Sequence, residues 1–255
     1  MYYLVRPYVV HTCIYYNVLT RVSHGADGDT PEGGHGSHGP WNSAMLAKYG
    51  EQIVPQFGLY NAQTSYPIAE FTRWIRINKE AHQARGLRGM VPWVTTGFDG
   101  VLEPAQVLAQ AVHMLAGGCT GFNLFSSAAD GDWDSWGNML AFSKSVELVG
   151  PYEDIVVLGK VAHDAVSHKS SRSNVRAVSA MEFQGQFVIA LSASDGEQPM
   201  QVSISIPSTM EYEWVNVLSG TSIPLSKGAT LATLSVQQRA GEEFALVVVK
   251  PQGDL

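Results

Sequence analysis

The sequence predicts an α/β fold followed by an all-β region, and two observations support it. Residues 53–148 alternate short apolar runs with segments of helical periodicity, at about 30 residues per pair, which is typical of βα units and a parallel sheet. Beyond residue 174 only strand patterns remain, with glycines between them at turn spacing. With 255 residues, 45% of them hydrophobic, the chain is long enough to bury a sizeable core.

Three strand–helix pairs make up the α/β region. Strands are predicted over 53–60, 90–96 and 120–126, because these short apolar runs suit a sheet that is covered on both faces. A fourth unit is expected in the N-terminal stretch, where the pattern is less clear. These units predict a sheet of three to four parallel strands, with right-handed crossovers between them.

Each predicted strand is followed by a segment with apolar residues at helical spacing. Pro67 and Pro104 stand where the first two of these helices begin, and a third helix is predicted over 133–148. Gly117 and Gly118 end the second helix. The first helix is expected to turn four charged side chains outward, away from its apolar face: Arg73, Arg76, Lys79 and Glu80. A further short helix is predicted over 41–49.

The second region reads as a small antiparallel β-sandwich over residues 174–251, joined to residues 1–165 by a polar stretch. Its strand candidates are six segments: 174–182, 186–193, 200–206, 213–218, 229–236 and 243–250. In the third of these, apolar and serine residues alternate, which indicates a strand with one buried face. Val188 or Ile189, Ile204, Trp214 and Val248 are expected to contribute to the core.

Composition excludes several functions. The formal net charge of −7 and the absence of a basic block argue against a nucleic-acid partner. No apolar run reaches the roughly 18 residues of a membrane span, so no membrane partner is expected. No phosphate-binding glycine motif occurs, and the His-rich loop 23–40 lacks a frame that would fix metal ligands, so neither a cofactor nor a metal is predicted. Two cysteines cannot form a disulfide framework, and the compartment stays open.

The arrangement resembles the C-terminal portion of a glycoside hydrolase with a (β/α)8 barrel and an appended antiparallel β-domain. The resemblance is carried by the strand MVPWVTTG, the next unit GGCTGFNLFSS and the acidic-aromatic loop ADGDWDSW, followed by the β-domain from NVRAVSAMEF onward. It implies a partial (β/α) barrel, a carbohydrate ligand and a relation to carbohydrate hydrolysis.

A closed barrel needs eight βα units and about 250 residues. Only about three to four units precede the β-domain here, so the resemblance implies a fragment, a truncated product or a degenerate homologue. The alternative is a small open α/β sheet that is complete as it stands. In the first case we expect no turnover by the chain alone, and self-association through exposed sheet edges.

Candidate catalytic residues are carboxylates at the C-terminal strand ends, where parallel α/β folds collect their function. Asp99 follows the second predicted strand and Asp132 the third. Glycoside hydrolysis needs two such carboxyl groups on either side of the scissile bond. The alternatives stay open, because Asp99-Gly100 is also a turn pair and Asp132 also suits a helix cap.

Candidate substrate-binding residues combine indole rings, which stack on sugar C–H faces, with polar groups for hydroxyls. They are Trp93, Asn61, Asn123, Asp130, Trp133 and Trp136. A non-catalytic carbohydrate-binding module or pseudo-enzyme needs only these residues, and a structural protein without a small-molecule site needs none. Whether the chain is an enzyme, and which sugar it takes, stays open.

Overall fold

The computed structural model describes residues 12–16, 53–58, 63, 67–84, 86, 89–95, 102–125, 133–167, 175–193, 200–206, 211–225, 231–236 and 243–252. Four of its strands form a parallel sheet in chain order: β1 (Thr12–Tyr16), β2 (Ile53–Gly58), β3 (Val91–Thr95) and β4 (Asn123–Phe125). Every neighbouring pair runs parallel. The three predicted strands are present, and β1 is the fourth strand that was expected in the N-terminal stretch.

Helices follow the strands as the periodicity predicts: α1 (Ile68–Gln83), α2 (Pro104–Ala116) and α3 (Trp133–Val149). A further helix, α4 (Glu153–Leu158), was not predicted. The helix predicted over 41–49 lies outside the described residues. Pro67 caps α1, and Pro104 is the first residue of α2, where its missing N–H costs no hydrogen bond. Gly117 caps the end of α2, and Gly118 follows with φ +91°, a conformation that L side chains rarely adopt. Short 3-10 turns span Gly150–Tyr152 and His163–Ala165.

The first helix corrects one prediction. Lys79 was expected on the outward polar face, but its side chain is fully buried. Its Nζ donates a hydrogen bond to the carbonyl oxygen of Gly118 at 3.0 Å. The methylene chain lies against Gly118, since a Cβ at that glycine would come within 2.6 Å of Lys79 Cε. The missing side chain of a glycine therefore leaves the room that buries this lysine.

In the part of the chain that the structure describes, nine strands form two antiparallel sheets. They are β5 (Lys160–Val161), β6 (Val166–Ser167), β7 (Val175–Phe183), β8 (Gln186–Ala193), β9 (Met200–Ser205), β10 (Tyr212–Asn216), β11 (Thr221–Pro224), β12 (Leu231–Val236) and β13 (Ala245–Pro251). One sheet has the order β11-β10-β13-β8-β7-β5, and the other has the order β12-β9-β6.

These sheets match the predicted strand pattern with two differences. β11 was not predicted, and the predicted strand 213–218 ends at Asn216, where a turn leads into β11. β5 and β6 pair with β7 and β9, so strands of the antiparallel sheets begin at residue 160. The α/β plus all-β fold class is confirmed at this level, and the division of the chain into two domains stays a prediction.

The central strands β7, β8 and β13 of the six-stranded sheet are buried on both faces, which joins the two regions of the fold. On one face Ile189 and Trp214 pack with Ile204 of the three-stranded sheet in a single apolar cluster. On the other face Val188 and Val248 pack against residues of α2, α3 and α4. All of the predicted core positions are buried, but they divide between these two clusters.

The third helix exposes apolar residues that its periodicity would place inward. Trp136, Met139 and Leu140 are exposed, with Leu140 at 69%. The buried face consists instead of Asn138, Ala141, Phe142, Ser145 and Val149. No helix in the described part of the chain is long and apolar enough to cross a membrane.

Candidate functional site

The neighbouring strands β3 and β4 bring two predicted substrate residues together. Trp93 is paired with Asn123 in the parallel register. Paired residues of adjacent strands point to the same face of a sheet, and here it is the face opposite to Val94, which is buried against α1 and α2. On its other side Trp93 is paired with Gly58, which carries no side chain. An indole ring and an amide thus lie side by side on the face away from the helices, both half-buried.

The side-chain amide of Asn123 carries a hydrogen-bond donor that has no acceptor among the described residues. Its Nδ2 is buried and has no hydrogen-bond partner within the described residues. A buried donor without an acceptor costs about 1–3 kcal/mol, so such a group usually pairs with a ligand or an ordered water. This orphaned donor beside an indole ring is the strongest mark of a binding site on the sheet.

Gln63, which follows β2 in the chain, is hydrogen-bonded to the end of β3. The side chain of Gln63 is buried and its Oε1 accepts a hydrogen bond from the backbone N–H of Thr95 at 2.9 Å, while its Nε2 donates to the Thr95 carbonyl at 3.2 Å. Gln110 of α2 donates to the carbonyl of Gln63 at 2.8 Å. Gln63 therefore has a structural role beside the C-terminal end of β3.

The first turns of α2 and α3 also contact each other. Asn138 Nδ2 donates to the carbonyl of Leu102 at 3.1 Å. Gly137 lies against Pro104, because a Cβ there would come within 3.0 Å of the proline Cγ. Residues 96–101 connect β3 to α2 in the chain, and residues 126–132 connect β4 to α3. The strand ends and helix starts that flank these two segments are adjacent, and the segments include the predicted carboxylates.

The predicted carboxylates themselves lie outside the described residues, and so does one of the amides: Asp99, Asp130, Asp132 and Asn61. Trp133 begins α3, but its side chain is not described. Trp136 is 58% exposed on α3, one turn before Met139 and Leu140. Of the predicted site residues, the structure thus brings Trp93 and Asn123 together.

Sequence reasoning missed a buried histidine. His113 of α2 is fully buried between β7 and β8, with its Nδ1 3.0 Å from Ser179 Oγ and its Nε2 2.9 Å from Ser192 Oγ. Burial lowers the pKa of His113 to about 3, so the ring is neutral at pH 7. A neutral imidazole donates through one nitrogen and accepts through the other, and the two serine hydroxyls suit both roles. It stabilises the helix–sheet contact and lies far from solvent.

Two further buried ionisable groups, Lys79 of α1 and Cys119 ahead of β4, lie near each other. Burial lowers the pKa of Lys79 to about 8. Burial also raises the pKa of Cys119 far above its usual range, so it stays a thiol, and it is not in a disulfide. Thr120, the next residue, bonds to the backbone of Met90 ahead of β3. Both groups thus lie at the N-terminal ends of the strands, the end that parallel α/β folds use for stability.

The described residues offer little else for a ligand. No group of three or more His, Cys, Asp or Glu among them is placed to hold a metal ion. A cleft lined by Thr72, Arg76, His163 and Ser179 encloses only about 10 Å³, which is room for about one water molecule. The paired Trp93 and Asn123 therefore remain the candidate site.

Comparison with known proteins gives similarity of fold. No family model matches the chain, and no curated protein matches its sequence. An α-amylase from Anoxybacillus is similar over 84% of this chain and 56% of its own, with 7% identity and a TM-score of 0.45. The α-amylase of Geobacillus thermoleovorans, complexed with acarbose, is similar over 82% and 56%, with 8% identity and a TM-score of 0.47.

The α-galactosidase I of Mortierella vinacea is similar over 94% of this chain and 77% of its own, with 10% identity and a TM-score of 0.36. All three are glycoside hydrolases by name, the class of protein that the sequence resembles. The chain spans about half the length of the two amylases. At these identities and TM-scores the likeness is limited to the general arrangement of strands and helices.

Proposed function

We propose that the protein binds carbohydrate on the face of its parallel sheet that lies away from the helices, at Trp93 and Asn123. The observation that carries this proposal is the pairing of a half-buried indole with an amide whose buried Nδ2 lacks an acceptor in the described structure. A sugar ring supplies a C–H face for the indole and hydroxyl oxygens for the amide. Asn61, Asp130, Trp133 and Trp136 belong to the proposal as further contacts from adjoining elements.

Two substitutions test this site by calorimetric titration against a panel of mono- and oligosaccharides. Trp93→Ala removes the stacking surface, and we expect it to weaken binding by about 1–3 kcal/mol. Asn123→Asp keeps the shape of the side chain but replaces the Nδ2 donor with a second acceptor. We expect it to weaken binding because the hydroxyl oxygen loses its donor, at a cost of about 1–3 kcal/mol.

Asn216→Asp is the matched control for the amide change. Asn216 in the turn after β10 uses its Oδ1 to accept from the backbone N–H groups of Leu218 and Ser219. Aspartate retains that acceptor, so sugar affinity and stability should both stay close to those of the unmodified chain. Binding of a matched sugar that survives Trp93→Ala and Asn123→Asp unchanged would contradict the proposed site.

A second candidate function is hydrolysis of the bound glycoside by Asp99 and Asp132. The contact between α2 and α3 favours it, because the strand ends and the helix starts that flank Asp99 and Asp132 in the chain are then adjacent. Retaining hydrolysis requires carboxyl groups about 5–5.5 Å apart, and inverting hydrolysis about 6.5–9.5 Å. We interpret the parallel sheet as part of a (β/α) barrel and the two antiparallel sheets as its appended β-sandwich.

In this interpretation the four described parallel strands supply only part of the strand ends that form a catalytic site. We therefore expect sugar binding without turnover on a panel of aryl glycosides. Hydrolysis by a monomeric chain, abolished by Asp99→Asn, would instead show a complete enzyme. Sugar binding that depends on Trp93 in the absence of hydrolysis would favour a non-catalytic binding module.

A further inference from the structure

The parallel sheet has two edges whose pairing the described strands leave open. The order β1-β2-β3-β4 places β1 at one edge and β4 at the other, and all four strands run in the same direction. An unpaired strand edge presents backbone N–H and C=O groups that can pair with another strand. Four parallel strands in chain order are half of the eight that close a (β/α)8 barrel.

The apolar surface beside β4 points to the same edge. Leu124 of β4 is 39% exposed, although its register partner Val94 is fully buried on the same face. In α3 an exposed apolar patch is formed by Met139 and Leu140, one turn beyond Trp136 of the proposed sugar site. Apolar residues clustered in this way on an exposed surface commonly mark a contact with another protein surface.

The patch lies where the next helix of a barrel would pack. α1 contacts α2, and α2 contacts α3 through the opposite, buried face that includes Ala141 and Phe142. The exposed face of α3 becomes polar in its second half, where Lys144 and Glu147 form an ion pair at 2.7 Å. The apolar surface is therefore confined to the first half of α3.

We propose that two copies of this chain associate about a two-fold axis, so that β4 of each copy pairs with β1 of the other and their sheets close an eight-stranded parallel barrel. A two-fold axis along the barrel keeps all strands parallel and satisfies both edges of both copies with one repeated junction. A second copy fits this role because its β1 strand runs in the direction that parallel pairing with β4 requires. The junction covers Leu124 and the α3 patch.

This assembly is independent of sugar binding, and its test measures mass and amide protection. By light scattering and sedimentation velocity we expect twice the chain mass of 27.6 kDa at micromolar concentration. Leu140→Glu places a charge in the α3 patch and should weaken the dimer on the order of tenfold or more, because burying an unpaired carboxylate is unfavourable. Since Leu140 is exposed, the variant should keep the circular dichroism spectrum of the unmodified chain.

Ile223→Glu is the matched control, because Ile223 is an exposed apolar residue at 42% on β11, an edge strand of the six-stranded sheet. This variant should remain dimeric. A monomer at all concentrations, an open series of larger assemblies, or a dimer that Leu140→Glu leaves intact would each overturn the proposal.

Hydrogen exchange at two protein concentrations distinguishes the closed barrel from a dimer that uses α3 alone. Pairing at the junction should protect amides of Asn123–Phe125 and Thr12–Tyr16 together as concentration rises. The amides of Thr221–Pro224 should exchange at the same rate at both concentrations. Protection that does not change in β1 and β4 would overturn the proposed strand pairing.

Discussion

The buried His113 makes the stability of this protein depend on pH in a defined window. Folding holds the pKa of His113 at about 3, against 6.5 for an unperturbed histidine. Between these values the unfolded chain binds a proton that the folded chain does not. The stability contribution is therefore complete above pH 6.5 and is lost as the pH falls towards 3, by about 1.4 kcal/mol per pH unit.

The perturbation is His113→Gln, which keeps a donor and an acceptor near Ser179 and Ser192 but cannot take up a proton. From pH 8 to pH 4.5 the histidine alone should lower the free energy of unfolding by roughly 3 kcal/mol. The variant should lose that part of the pH dependence, although it will be less stable at pH 8 because glutamine fits the imidazole space imperfectly. Urea unfolding at both pH values measures the two differences.

Ser179→Ala and Ser192→Ala serve as controls for destabilisation itself. Each variant removes a serine hydroxyl that is hydrogen-bonded to a ring nitrogen of His113, at 3.0 Å for Ser179 and 2.9 Å for Ser192. Each should lower the free energy of unfolding at pH 8 by about 1–3 kcal/mol. Both variants retain the buried imidazole and should keep most of the wild-type decrease between pH 8 and pH 4.5. If His113→Gln shows the same decrease as the wild type, the titration of His113 does not cause the acid sensitivity.

Three further predictions concern single substitutions. Burial disfavours the charged ammonium of Lys79 and lowers its pKa to about 8, so Lys79→Met should raise the free energy of unfolding at pH 7 by about 1–3 kcal/mol. The variant should also lose the rise in stability that the wild type shows from pH 8 to 10.5. Urea unfolding at pH 7 and 10 measures both effects, and a loss of stability at pH 7 would contradict the prediction. Gly118→Ala should lower the melting temperature, because the new Cβ is strained at φ +91° and meets Lys79, at a cost of about 1–3 kcal/mol. Gly121→Ala is the control and should not lower it, because no atom lies within 4 Å of the new Cβ. Equal melting temperatures of the two variants would refute this account of Gly118. Trp133→Ala should weaken binding of a matched oligosaccharide by about 1–3 kcal/mol in calorimetric titration, and unchanged affinity would remove Trp133 from the proposed site.

The parallel strands could be predicted from the sequence because each is a continuous apolar run followed by a helix start. The same reasoning missed β11, whose residues Thr221–Pro224 are all exposed and show no apolar alternation. Such a strand forms because its neighbour β10 supplies backbone partners, as in the pairing of Trp214 with Ile223. Hairpin pairing of this kind leaves no periodic trace in the strand itself.

The buried polar groups could be predicted only in part. α2 is buried on nearly all sides from Val107 to Ala116, so Gln110 and His113 within it had to find hydrogen-bond partners inside the protein. The helix sequence therefore contained a signal for His113. Lys79 gave no comparable signal, since its burial depends on Gly118, which lies 39 residues further along the chain.

The candidate site shows where sequence reasoning reaches its limit. Trp93 and Asn123 were both named from their residue types, but only the register of β3 and β4 places them side by side. A shift of that register by one residue would move a side chain by about 3.3 Å and turn it to the other face of the sheet. The two carboxyl separations that distinguish retaining from inverting hydrolysis differ by only about 1–4 Å. Residue types at strand ends can therefore name Asp99 and Asp132 as a pair, whereas the stereochemical outcome depends on a register that long-range contacts determine.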